Sequence, residues 1–218
     1  MYGILNSQLI FSFVIIGLLC FLGIRAWRLK QKWIFSFAFP IFFTSLIFEN
    51  IGVMRGVYYY PNWPLYMGSV PPIIPLGWII ILYFTYSLAQ NRKNKILYYF
   101  LIPFLFDFFI LEPLAIEFNL WVWKNPINGF IAPLSNYAYW VTLSAIYLEL
   151  FSICQLRIRN DLKRTLILFT SFNLFLFPLI GFFLFYKYYW LYVFLIILYG
   201  FLSVLVLDQK LYSKNKFL

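Results

Sequence analysis

The sequence predicts an all-α protein, a polytopic bundle of about seven transmembrane helices, with its amino end outside and its carboxyl end in the cytoplasm. Three observations lead there. Hydrophobic residues make up 64% of the 218 residues and charged residues only 11%, against about 25% charged in a soluble domain. The apolar residues fall in runs close to the ~20 that a helix needs to cross a bilayer. The basic residues also segregate. Fourteen of the 17 Lys and Arg occupy alternate gaps: Arg25, Arg28, Lys30 and Lys32; Arg92, Lys93 and Lys95; Arg157, Arg159, Lys163 and Arg164; Lys210, Lys214 and Lys216. This is the positive-inside pattern. The net charge of +10 therefore reports topology and contact with anionic lipid, not nucleic-acid binding. A single integral domain over residues 1–218 in the cell membrane is expected.

The expected spans run, in order, over residues 7–24, 33–54, 71–90, 96–118, 134–156, 165–185 and 190–207. The amino-terminal run has no basic flank before it and no small-residue cleavage site, so it reads as a retained span and not a signal peptide. The third opens on Pro71 and Pro72, which suit a helix start because the missing N–H is an orphan there anyway. The loops 55–70 and 119–133 are rich in Tyr, Trp and Pro, carry little charge, and fall on the outer side.

Chemistry is concentrated in a few residues. There is no histidine, which removes the usual metal ligand and neutral-pH base. Cys20 and Cys154 sit in apolar runs without ligand spacing and are expected as buried, inert thiols. Three of the seven acids, Asp107, Glu112 and Glu117, fall between residues 107 and 140 with Trp121, Trp123 and Trp140. Glu49 lies in another apolar run. An acid within a span is a functional candidate because hydrocarbon penalises it. On an ideal helix Glu49, Gly52 and Gly56 share a face, and Gly52 and Gly56 form a GxxxG pair suited to close helix packing. Tyr58 and Tyr60 follow with strand-like alternation. At 100° per residue Asp107 and Glu112 would stand about 140° apart, so Glu112 is expected to turn inward through a kink at Pro113. Glu117 is expected to be solvated. Glu149 is expected to snorkel or to pair with Arg157 or Arg159. Asn136 and Trp140 are one helical turn apart. The two acid-bearing stretches are expected to meet on one side of the membrane. A membrane-buried carboxyl can stay protonated, and aromatic faces can stabilise a carbocation. Together these suit proton-initiated chemistry on an isoprenoid double bond.

The run ENIGVMRGVYYY, with Glu49, Gly52, Gly56, Tyr58 and Tyr60, followed by Trp78, resembles the first signature of the carotenoid biosynthesis membrane proteins, which include the carotenoid 1,2-hydratases and bisanhydrobacterioruberin hydratase. The second signature resembles Asp107, Pro113, Trp121, Trp123, Gly129, Pro133, Ser135, Asn136 and Trp140. The likeness covers about residues 45–145. One departure is the run GFIAP, from Gly129 to Pro133, where the family usually has G-x-P. The resemblance implies hydration of the terminal 1,2 double bond of an acyclic carotenoid, with no cofactor. It implies Asp107 or Glu49 as proton donor, Glu112 and Asn136 positioning water, and Tyr58, Tyr60, Trp121, Trp123 and Trp140 around the substrate with Gly52 and Gly56. The expected partners are the bilayer and the isoprenoid substrate, with other carotenoid-pathway membrane enzymes as candidates. A non-catalytic carotenoid- or polyprenoid-binding protein would keep the aromatic cavity without needing the acids. A small proton-coupled transporter would use the acids, but no paired broken helices are visible. A retinal protein needs a lysine in the last span, and residues 190–207 contain none.

Overall fold

A backbone in lipid must satisfy its own hydrogen bonds, and a helix does so within one segment. The computed structural model describes residues 2–31, 33–124 and 132–184 and carries helix in each of the first six expected runs. These are α1 (Tyr2–Arg28), α2 (Ile34–Met54), α3 (Ile73–Ala89), α4 (Lys95–Phe106) continued by a π-turn (Asp107–Leu111) and α5 (Glu112–Glu117), α6 (Leu134–Arg157) and α7 (Asp161–Leu184). The seventh expected run, 190–207, lies outside the described residues. Among the described residues, four stretches are long and apolar enough to cross a membrane: Ser7–Arg28, Ile34–Met54, Lys95–Glu117 and Asn136–Arg157.

The chain partitions into two units, residues 1–168 and 169–218. In the second, the described residues are the carboxy-terminal part of α7. In the first, α3 takes the centre, packed on α1, α2 and α4 and touching α6. Twelve of its 17 residues are buried, on all sides of the helix, as a wholly apolar helix requires. By contrast α1 turns Ile10, Phe13 and Phe21 outward. Cys20 also lies exposed on α1, which corrects the expectation that it is buried; Cys154 is partly covered.

The basic gaps converge at one end of this unit. Tyr83 at the end of α3 donates to Gln31 after α1 (3.0 Å). Lys95 at the start of α4 pairs with Glu149 near the end of α6 (2.9 Å), and not Arg157 or Arg159 as expected. Arg164 near the start of α7 donates to Ser36 at the start of α2 (3.2 Å).

The opposite end adds a feature that an all-α reading does not contain. Two short strands, β1 (Tyr58–Tyr59) and β2 (Val122–Trp123), pair antiparallel, Tyr58 against Trp123 and Tyr59 against Val122. The Lys124 N–H extends the ladder to the Val57 carbonyl (3.0 Å). Both strands follow helices that stop in the same way. After α2, Gly56 takes φ +68°, its N–H bonds the Val53 carbonyl (2.8 Å), and the Val57 N–H bonds the Gly52 carbonyl (3.1 Å). After α5, Asn119 takes φ +50° and the Leu120 N–H bonds the Ala115 carbonyl (2.7 Å). These are Schellman stops, which close a helix and reverse the chain. Each turns its chain back toward the other, and the ladder forms where they meet.

Candidate active site

The site is built at the ladder end, from the last turns of α2, the π-turn and α5, both strands, and the first turns of α3 and α6. Glu49 is buried in α2. The Tyr58 hydroxyl donates to Glu49 Oε2 (2.5 Å), and the Tyr60 hydroxyl donates to the same oxygen (2.6 Å). The Trp78 indole of α3 is a further donor toward it. Burial, then the Glu49 charge, push the Tyr60 phenol well above its usual range, so Tyr60 stays a neutral donor at ordinary pH.

Gly52 makes this arrangement possible. A Cβ there would stand 2.5 Å from the Tyr58 hydroxyl oxygen, so only glycine lets Tyr58 fold back over the helix to reach Glu49. Gly56 supplies the positive φ of the helix stop. Neither glycine lines the cavity. The expected shared helix face does not form, because α2 ends at Met54 before the face can continue; what the two glycines do here is shape the turn.

Asp107 and Glu112 do share a side, and the cause is the π-turn. The Glu112 N–H bonds the Asp107 carbonyl, five residues back, so the residue five along replaces the one four along in the stack. The straight-helix angle therefore does not apply. Pro113 has no N–H and crowds the preceding turn; widening the helix just before it accommodates both. The expected kink is thus replaced by a π-turn, with Glu112 still helical at φ −63° and ψ −45°. Glu117, one turn further on, is exposed.

Glu112 accepts from donors at both oxygens. The indole N–H groups of Trp123 (3.0 Å) and Trp121 (3.3 Å) reach Oε2, and the Asn136 amide reaches Oε1 (3.3 Å). Asp107 differs. Its Oδ2 is buried without a hydrogen-bond partner among the described residues, and it lies within electrostatic reach of Glu112 and Glu49. All three acids are 2–4% exposed.

They line one cavity of about 390 Å³, together with Tyr58, Tyr60, Trp121, Trp123, Asn136 and Trp140. Trp78 stacks on Trp140 (4.1 Å between ring centres, 17° between planes). The loop after β1 closes the end: Trp63 donates to the Leu120 carbonyl (2.8 Å), Gln8 to the Pro61 carbonyl (2.5 Å), and Asn50 holds Met67 and Ser69. Sequence reasoning missed one wall, made by Ile10, Phe11, Val14, Ile15 and Leu18 of α1 with Gly77 and Ile81 of α3. No local signal marks it, since these residues read only as span. Gly129 and the rest of the run through Ile131 fall outside the described residues. Among those described, no group of His, Cys, Asp and Glu could hold a metal ion.

A membrane-length helical bundle that gathers three carboxyls, phenols and indoles around one apolar cavity defines a class: a helical membrane protein with buried acids in the wall of an apolar cavity. The particular assignment follows from comparison. The chain belongs to the carotenoid biosynthesis protein family, whose model matches residues 6–207. No curated protein and no solved structure matches the chain.

Proposed function

We propose that this protein hydrates the terminal 1,2 double bond of an acyclic carotenoid without a cofactor. The observation that carries the reading is Asp107: a buried carboxyl in the cavity wall whose Oδ2 has no hydrogen-bond partner among the described residues. Glu49 already accepts two phenols at one oxygen, which favours Asp107 as the proton donor and Glu49 as the anchor of that wall. The Asp107 proton passes to C2, the π pair forms the new C–H bond, and a tertiary cation is left at C1. Facing aromatic rings stabilise that cation. Water held by Asn136 and Glu112 bonds to C1 and gives one proton to Glu112. Return of that proton to Asp107 through water restores both acids. Such positioned acid–base groups contribute about 10²–10⁴-fold.

The protein would sit in the cell membrane as a multi-pass protein, with its basic end cytoplasmic and the site toward the outer leaflet. Other membrane enzymes of carotenoid synthesis would be its neighbours. The test is expression in a lycopene-producing bacterium with mass spectrometry of the pigments. Products heavier by one water are expected. Unmodified lycopene, and an equally unmodified elongated precursor, with the protein present in the membrane, would overturn the reading. A non-catalytic carotenoid carrier is the second reading, favoured by the aliphatic length of the cavity; it predicts that joint Glu49→Gln and Asp107→Asn leaves the pigment profile unchanged.

A further inference from the structure

The cavity has two kinds of wall. Toward the ladder it carries the acids, phenols and indoles. Along the bundle it is aliphatic, from Ser7 to Leu18 on α1, a rise of about 16 Å at 1.5 Å per residue. That is roughly half the ~30 Å hydrocarbon core. The two flanks of this trough differ from its floor. Ile10 and Val14 of α1, with Ile110, Leu114 and Phe118 opposite, line the cavity and are also 42–63% exposed. The floor residues Ile74, Trp78, Ile80 and Ile81 of α3 are buried. A residue that both lines a cavity and faces outward marks its rim.

The volume decides what the rim is for. About 390 Å³ is near the lower end of the ~300–1,000 Å³ of sites for drug-sized ligands. A linear isoprenoid long enough to cross the bilayer cannot be enclosed in it. From these observations we infer that the cavity opens sideways to the bilayer between α1 and the π-turn–α5 segment, and that it takes a linear isoprenoid by one end group while the rest of the chain stays in lipid. This rests on the hydration reading for the identity of the ligand. Its consequence is that a molecule with two reactive ends must leave and return between reactions.

The rim is tested by Val14→Trp and Leu114→Trp, singly and together, with Phe13→Trp as control. Phe13 is 72% exposed on the same helix and does not line the cavity. Hydration of a two-ended acyclic carotenoid is followed in membranes with equal protein. The double variant should be slower by about tenfold or more, since small misplacements of a reacting group are costly, and the control should match the wild type. Singly hydrated product should appear free before doubly hydrated product. Pigment carried through purification reads the rim separately from the chemistry. A wild type that retains carotenoid but hydrates none sinks the hydration reading; the rim then stands if the double variant loses the pigment. Undiminished activity and pigment in the double variant, as if another segment occupied this flank, would overturn the inference, as would a wild type that neither hydrates nor retains carotenoid.

Discussion

The two ends of the residue 1–168 unit treat their acids in opposite ways. At the basic end, Glu149 is met by Lys95 and Asp161 by Arg164, at 2.9 and 2.7 Å. At the ladder end, the partners of Glu49 and Glu112 are phenols, indoles and an amide. Asp107 Oδ2 has none among the described residues. An ion pair consumes an acid's charge in holding helix ends together. Neutral donors orient a carboxyl and leave its proton chemistry available. The difference separates acids committed to ion pairs in the fold from acids that meet only neutral donors or none among the described residues.

The largest effect expected from breaking this contrast is at Asp107. Asp107→Asn keeps the shape and removes the proton. Hydration should fall about 10²–10⁴-fold, while the thermal midpoint in detergent should not drop, because Oδ2 has no hydrogen bond to lose. Pigment mass spectrometry and a melting curve on the same preparation check both. An active variant would return the donor's role to Glu49.

Next comes Gly52→Ala. Its Cβ would meet the Tyr58 hydroxyl oxygen at 2.5 Å, and Tyr58 cannot simply swing aside because its backbone is paired with Trp123. Overpacking of this kind costs about 1–3 kcal/mol, and Glu49 loses a donor. Lower stability and lower activity together are expected. Loss of neither would mean that the Tyr58–Glu49 contact is dispensable.

How much of this was legible in the sequence depends on the range of the forces involved. The first six helical runs follow from apolar length alone, because a span is a local property of composition. The meeting of the Glu49–Tyr60 and Asp107–Trp140 stretches was also legible, since acids in hydrocarbon need company. The shared side of Asp107 and Glu112 was not, because the angular argument presumed an unbroken α-helix and Pro113 is accommodated by a π-turn. Gly52 and Gly56 read as a helix-packing pair, yet one makes room for a phenol and the other ends the helix. The α1 wall carries no sequence mark, since nothing in Ile10 or Val14 says which neighbour they will face.

A smaller effect is expected within the Glu112 shell. Trp123→Phe and Trp121→Phe each delete one indole N–H while keeping an aromatic wall. The Trp123 contact is shorter, 3.0 against 3.3 Å. A lost hydrogen bond to a carboxylate is worth about 1.5–3 kcal/mol, so Trp123→Phe should slow hydration by about 10- to 100-fold and Trp121→Phe by less. Equal effects would mean that the rings act as walls and not as donors.

The smallest effect should come from Glu149→Gln, the matched change at the basic end. Lys95 and Glu149 have side chains 29% and 33% exposed, so solvent screens the pair and it contributes about 0–1 kcal/mol. Lys95 also donates to Ser152 (3.1 Å), which would keep that ammonium partly satisfied. The thermal midpoint should fall slightly and the rate per folded molecule should not change. A large loss of rate with the fold intact would show that an ion-paired acid at the basic end also takes part in the chemistry, and the division of labour between the two ends would fail.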